Sequence, residues 1–494
     1  PSILAIASAV FIVPFLLFSS AAGVLADRIR KRSILIAMKW IELWAILLSV
    51  VAIYYESEFG LYALLFIMAV QSAIFGPSKY SIIPELVKSS DVSKANGALS
   101  SFTFLAIILG TFVASFITDI TNKNFLLSSG VCVFLAVIGL IVSWKIPRTP
   151  AGGSLKKINP FFPYEIYQTL RFCRNFPNLL TVVVGASFFL FLGSFVQLNV
   201  IPFAMEALHL SEVGGGYIFV VTSIGIALGC FLGGRLSKKG APIGLSCVAG
   251  FFLSIFLCLL SIFSSHLIID LILLVFLGVC GGIFLVPLDS FMQINSPDEK
   301  RGQIVATANF LSFTGALLAS ICLYVFSNIF HISAAGGFFL MGLITFVFTF
   351  FLAARTSDLF FFYLGKQVFF KIFPVQMETP PPLHSLFLCK NRSWLYVILF
   401  FGFFPQIGVV FWKPRSILRF LPLNSVFFAY KKETLFSKIE EMRKSKNYIL
   451  ILGKEFPWKE ELCKAFSFSQ PFFIHLEKKD EKRYFSFSTE EKIR

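Results

Sequence analysis

Eleven apolar runs, each long enough to cross a bilayer, constrain this chain more than any other feature. They fall at about 1–22, 34–54, 61–76, 98–118, 126–143, 178–198, 214–234, 242–264, 267–287, 304–328 and 334–355. A helix needs roughly 20 apolar residues to cover the hydrocarbon core. Lipid offers backbone groups no partner, so such runs must satisfy their own hydrogen bonds as helices. Composition agrees: 56% of the 494 residues are hydrophobic and 14% charged, against roughly 45–50% and 25% in soluble domains. The fold class is therefore an all-α polytopic membrane protein. The last hundred or so residues are dense in Lys and Glu and predict a soluble or surface-bound tail.

The loops alternate in charge. Those after spans one, three, five, seven and nine hold 18 Lys and Arg, and the other five hold one, Lys123. Basic loops stay in the cytoplasm, so the first span runs inward and the tail after residue 355 is expected in the cytoplasm. The net charge of +16 then belongs to one face of a bilayer protein, and nucleic acid is not an expected partner. Nine cysteines stand singly without a C-x-x-C pair or a His cluster, a spacing that fits small buried hydrophobes and implies neither a metal nor a disulfide framework. No phosphate-binding G-x-x-x-x-G-K-S/T loop occurs, and no cofactor is implied. The basic connector 144–177 divides the spans into 1–143 and 178–355. A Gly-then-basic element follows the first span of the first group (Gly23 onward) and the second span of the second group (Gly233 onward). If the halves are repeats, one helix is expected ahead of residue 1.

The segment GVLADRIRKR at Gly23–Arg32 resembles the signature loop of the major facilitator superfamily, G-x-L-A-D-R-x-G-R-K/R. The matching residues are Gly23, Leu25, Ala26, Asp27, Arg28, Lys31 and Arg32. Gly23 lets neighbouring helix ends approach. Asp27 is placed to accept hydrogen bonds from a helix N-terminus, and the bases are expected to face anionic lipid. The corresponding place in the second half holds Ser237 and Lys238, so any charge latch is expected on one side only. The resemblance implies a twelve-helix fold of two six-helix bundles, with eleven spans visible here.

A narrower resemblance, to bacterial lysophospholipid transporters, rests on three segments. They are FGPSKYSIIPEL at Phe75–Leu86, KANG at Lys94–Gly97, and RGQIVATANFLSFTG at Arg301–Gly315. Within them Pro77, Lys79, Tyr80, Glu85, Asn96, Arg301 and Gly302 are the residues of interest. The resemblance implies movement of lysophospholipid, typically lysophosphatidylethanolamine, across the bacterial inner membrane to its cytoplasmic side for reacylation. It also implies contact with membrane lipids and a separate acyltransferase or acyl-carrier-protein synthetase as partner. Rocking of two bundles about a midplane site is the mechanism expected of such repeats.

Ionisable groups inside spans are costly and are functional candidates. Lys39 and Glu42 stand three residues apart, close enough to pair. They either meet the phosphate and amine of a headgroup or extend to the nearby membrane surface. Gln71, Gln197, Asn199 and Asn309 either bind a headgroup or bond neighbouring helices. Gly225, Gly229 and Gly233 form a stripe that predicts close helix contact.

After a Pro-rich linker within 356–385, the tail 386–494 is similar to a glycerolipid acyltransferase domain. Its catalytic signature N-H-x-S-x-x-D, aligned on Ser393, places Asn391 at the His position and Tyr396 at the Asp position. The second signature, F-P-E-G-R, meets Leu452, Gly453, Lys454, Glu455 and Phe456, in the stretch Asn447–Trp458 that supplies the hydrophobic strand. Neither site retains the acid–base groups. His384 and His475 lie outside any such motif. The apolar stretch Trp394–Trp412 contains Pro405 and is expected to be buried or interfacial rather than a twelfth span. The leading reading is a transporter with a small cytoplasmic, catalytically inactive α/β tail. Two alternatives stand beside it: a bifunctional transporter–acyltransferase, and an exporter of another amphipathic molecule.

Overall fold

A computed structural model of the chain describes residues 2–122, 124–159, 161–237 and 241–369. In the tail it describes 375–377, 385–389, 398, 400, 403, 407–412, 426–429, 432–443, 448–452, 461, 472–479 and 482–488. Lys123, Lys238, Lys239, His384, Asn391, Ser393, Tyr396 and 453–456 lie outside these residues. By contacts the chain divides into two units, Pro1–Ala241 with Val248–Phe348, and Pro242–Cys247 with Thr349–Arg494.

The apolar runs form helices, most of which extend past the runs themselves. The first half contains α1 (Ser2–Arg28), α2 (Lys31–Tyr54), α3 (Glu58–Ser81), the single turn α4 (Ile83–Leu86), α5 (Val92–Ile120) and α6 (Phe125–Ser143). The connector adds α7 (Phe162–Cys173), and the second half contains α8 (Leu179–Glu206), α9 (Glu212–Leu236), α10 (Ile243–Ile262), α11 (Leu267–Asn295), α12 (Arg301–Tyr324) and α13 (Ala334–Arg355). Among the described residues eleven helices are long and apolar enough to span a membrane. Starts are set by local caps: the Ser57 hydroxyl accepts from Gly60 N–H at 3.2 Å, and Ser211 does the same for Gly214 at 3.2 Å.

Two expectations about loops need correction. Lys31 and Arg32 are helical, leaving only Ile29 and Arg30 between α1 and α2. The segment Phe75–Leu86 is helix and one further turn, with Pro77 accommodated inside α3. Charge and proline lowered the apparent apolar length of both stretches, while packing against neighbouring helices kept them wound. The connector also contains a helix: Pro163 sits in the first turn of α7, and Glu165, Ile166, Thr169 and Cys173 recur on one buried face.

The halves meet chiefly where α1 lies along α12 and α5 along α9, with Phe15 stacked on Phe313 at 4.0 Å between ring centroids. Within the second half, the glycine stripe of α9 lies on α11. Gly225 faces Val275 and Gly278, and Gly229 faces Val279, so backbone touches backbone without intervening side chains.

The second unit carries a seven-stranded sheet in the order β1-β7-β6-β2-β5-β3-β4. Its strands are β1 (Val375–Met377), β2 (Ser385–Cys389), β3 (Ile407–Trp412), β4 (Val426–Ala429), β5 (Tyr448–Leu452), β6 (Phe472–Lys479) and β7 (Lys482–Ser488). All neighbours are parallel except the β6–β7 hairpin. The central strands read as unbroken apolar runs, as strands covered on both faces must: Leu386–Leu388, Val409–Phe411 and Ile449–Leu452 are buried. Thus the end of the Trp394–Trp412 stretch is a buried strand. Leu435, Ile439 and Met442 form the buried stripe of α15 (Lys432–Arg443) between β4 and β5; α14 is the short helix Ser357–Tyr363.

Candidate functional site

The basic loops gather one set of helix ends, and there the two halves are joined by polar bonds. Asp27, near the end of α1, is fully buried. Its Oδ1 accepts from the Gly302 N–H at 2.6 Å, and its Oδ2 accepts from the Gln303 N–H and side-chain Nε2, each at 3.0 Å. Gly302 and Gln303 are the second and third residues of α12, whose N-cap, Lys300, makes no side-chain cap. Asp27 therefore supplies from another helix the acceptor that an Asp or Ser N-cap supplies locally. Its negative charge also meets the positive end of the α12 dipole. A Cβ at Gly302 would lie 2.6 Å from the Asp27 Oδ1 and 2.8 Å from the Gly23 carbonyl oxygen, so the latch requires glycine there.

The connector closes over this latch. Ser154 N–H donates to the Asp27 backbone oxygen at 3.3 Å, and Lys156 Nζ donates to Gln303 Oε1 at 3.1 Å while pairing with Glu165 of α7. Gln303 thus links the carboxylate of one half to the ammonium of the connector. Arg301 fixes the turn from α11 to α12: its Nε donates to the Gln293 carbonyl at 2.9 Å, and the guanidinium pairs with Asp298.

A second joint lies where α5 meets α9 and α11. Asn96 and Gln293 exchange two amide hydrogen bonds at 2.9 and 3.0 Å, and Asn96 also donates to Ser290 Oγ at 3.2 Å. Gly97 approaches Gly234 so closely that a Cβ on it would stand 2.6 Å from the Cys230 carbonyl oxygen.

The intramembrane candidates separate. Lys39 Nζ pairs with Glu42 at 2.7 Å, Gln71 Nε2 donates to the same carboxylate at 3.3 Å and to the Met38 carbonyl at 3.2 Å, and Phe75 lies 5.3 Å from Lys39 Nζ. Lys39 and Glu42 keep 24% and 20% of their side-chain surface exposed. The pair is thus partly exposed rather than sealed by packing. Gln197 is exposed on α8 in the other half, and Asn309 sits on α12 beside Gly76 of α3.

The sequence profile of the Major Facilitator Superfamily matches residues 1–320. The chain belongs to the major facilitator superfamily. Two similar curated relatives carry the name lysophospholipid transporter LplT. That of Photorhabdus laumondii is 27% identical over 300 residues, covering 58% of this chain and 69% of the relative. That of Yersinia pestis is 24% identical over 322 residues, covering 64% and 75%. Among solved structures, the human organic anion transporter MFSD10 superposes with a TM-score of 0.61 at 14% identity, over 70% of this chain and 82% of that one. The Escherichia coli fucose:proton symporter FucP gives 0.58 at 15%, over 72% and 90%. These two likenesses concern the fold alone.

In this superfamily member the bases of the Gly23–Arg32 motif do not share one task, which corrects the expectation that they face lipid together. Lys31 is fully buried and pairs with Glu85 at 2.5 Å, tying α2 to α4; burial of a charge demands such a partner. Arg32 donates to the Trp144 carbonyl at the end of α6, 3.0 Å away, where a cation suits the dipole. Of the four bases, Arg28 and Arg30 are exposed. Lys79 donates to Thr103 at 2.9 Å and lies 5.2 Å from the Tyr80 ring. Sequence reading missed Gln303, Lys156, Glu165 and Gln293 as members of the joints. Gln303 lay inside a quoted motif, but nothing in spacing pairs it with residues 147 and 276 positions away.

Proposed function

We propose that the chain moves lysophospholipid, with lysophosphatidylethanolamine as cargo, across a bacterial inner membrane to the cytoplasmic leaflet by alternating closure of its two ends. The observation that carries this reading is the Asp27 latch, because it joins the two halves at the basic-loop end through bonds that break when the halves part. Charge-assisted hydrogen bonds are worth roughly 1.5–3 kcal/mol each. Two or three, not additive, hold the end shut yet remain within what differential binding of cargo can offset. The positive-inside pattern puts this end in the cytoplasm.

The cargo assignment draws on the names of the relatives and on the Phe75–Gly97 and Arg301–Gly315 segments. Lys39 is assigned to the headgroup phosphate and Glu42 to its amine, the resting ion pair opening to exchange partners with the zwitterion. Residues 1–355 form the transporter domain and 386–494 a cytoplasmic tail without catalytic function, leaving reacylation to a separate enzyme. Uptake of labelled lysophosphatidylethanolamine by membrane vesicles containing the full chain, beside vesicles without it, tests the reading. Uptake above background that falls in Lys39→Gln is expected; protein in the membrane with no uptake removes the lipid cargo.

A further inference from the structure

At the end of the second half opposite the basic loops, a small recess of about 70 Å³ opens between the last turns of α8 and α12 and the start of α13. Its polar lining includes Asn199, Glu206, Ser327 and Ser333, with Leu323 and Phe326 among the apolar walls. Here α12 ends in a π-helical stretch, Val325–Ile329, a distortion that often marks functional sites. Ser333 caps α13 by accepting from Gly336 N–H at 3.2 Å, and one Glu206 oxygen accepts the Ala334 N–H at 2.9 Å.

Two oxygens at the recess keep acceptor capacity. The second Glu206 oxygen has no donor among the described residues. Asn199 is only 1% exposed, and its amide nitrogen donates to the Ala334 carbonyl at 2.8 Å, which leaves its oxygen without a donor among the described residues. The Ser327 hydroxyl adds a further acceptor. In a chain with 43 Lys and Arg, none lines this recess. A carboxylate beside an amide oxygen and a hydroxyl suits a cation with several N–H donors, and a primary ammonium has three. A calcium ion would need roughly 6–8 oxygens drawn tightly together, which one carboxylate in so open a space does not supply. Phe326, set edge-on to Phe195 at 5.9 Å, adds an aromatic ring, the side-chain type that attracts cations through its face. Met205, Tyr324 and Ile329, adjacent in sequence to lining or end residues of α8 and α12, are exposed large hydrophobics, so an amphiphile could keep its chain in lipid while its head enters.

We propose that this recess binds the primary ammonium of an ethanolamine headgroup, with Glu206 as counter-charge and Asn199 and Ser327 as further acceptors. The headgroup assignment rests on the lysophospholipid reading above; the ammonium chemistry rests on the lining alone. The site lies apart from the Lys39–Glu42 pair and belongs to the opposite end of the transport path.

The test places a reporter thiol, Ile332→Cys, in the wall of the full-length protein and follows its alkylation by peptide mass spectrometry. The probes are lysophosphatidylethanolamine, lysophosphatidylglycerol and free ethanolamine. Lysophosphatidylethanolamine is expected to slow alkylation, and lysophosphatidylglycerol to leave it unchanged. Glu206→Gln, which keeps an acceptor for Ala334 N–H, is expected to weaken that protection about tenfold, and Ser327→Ala by less. Equal protection by both lysolipids, protection by neither lysolipid nor ethanolamine, or an unaffected Glu206→Gln overturns the site. Protection by ethanolamine alone overturns the headgroup assignment. Vesicle uptake separates the two proposals: uptake with an unprotected recess sinks this site alone, whereas ethanolamine protection without uptake sinks the transport reading alone.

Discussion

Two helices begin at the basic-loop end and receive the same kind of charge from different places. At the start of α12 the acid is Asp27, brought from the other half and bonded to two backbone N–H groups. At the start of α5 the acid is Asp91, the helix's own N-cap residue, and its side chain makes no cap bond but pairs with Lys94 at 3.0 Å. The corresponding place after α9 holds Ser237, whose hydroxyl turns back to the Gly233 carbonyl at 2.7 Å. A bond within one helix survives separation of the halves, whereas a bond between them must break. The first therefore stabilises an element and the second sets a conformational equilibrium.

The sharpest way to break this contrast is Asp27→Ala. It leaves two N–H groups of α12 and the Gln303 amide without their acceptor in a buried joint. About 3 kcal/mol in favour of the open end is expected, on the order of a hundredfold. Cys230 is fully buried beside the α5–α9 contact, so the rate of its alkylation reports opening. An unchanged rate would remove the latch from the mechanism. Gly97→Val attacks the other joint sterically: its Cβ would meet the Cys230 carbonyl oxygen at 2.6 Å and Gly234 Cα at 2.8 Å, both backbone atoms that cannot rotate away. Overpacking of about 2 kcal/mol is expected, and the same thiol should react faster without any loss of charge.

These joints show where sequence reading succeeds and where it stops. Span number was legible because lipid enforces a length, and the tail strand at Tyr448–Leu452 because an unbroken apolar run between polar segments has few alternatives. The acceptor role of Asp27 was legible too, since a buried acid beside helix ends has few partners to choose from. Its actual donors were not, because 275 residues separate Asp27 from Gly302. The same reason hid Asn96–Gln293, whose amides carry no charge to betray the pairing. Lys31 was misread because a base in a basic loop gives no sign of being buried; only the approach of Glu85 from α4 decides it.

Asn96→Ala tests an uncharged bond across the same interface. It removes both bonds to Gln293 and the one to Ser290, and strands the fully buried Gln293 side chain. An unsatisfied buried amide costs roughly 1–3 kcal/mol, so opening should rise by about tenfold, less than for Asp27→Ala. Replacing both residues, Asn96→Ala with Gln293→Leu, should recover part of the loss by removing the stranded group. No recovery would mean that the amides act through something other than each other.

Asp91→Ala is the smallest effect and the one that decides the contrast. Asp91 and Lys94 are both largely exposed, at 45% and 59% of their side-chain surface, and solvent screens such pairs so that they add little. Loss of an acid at the N-cap adds only a small, salt-screened effect through the helix dipole. The variant should lower thermal stability slightly, with the difference shrinking as salt is raised, and leave Cys230 alkylation at the parent rate. A large acceleration of that alkylation would show that an acid held within one helix also governs closure, and the distinction between the two helix starts would fall.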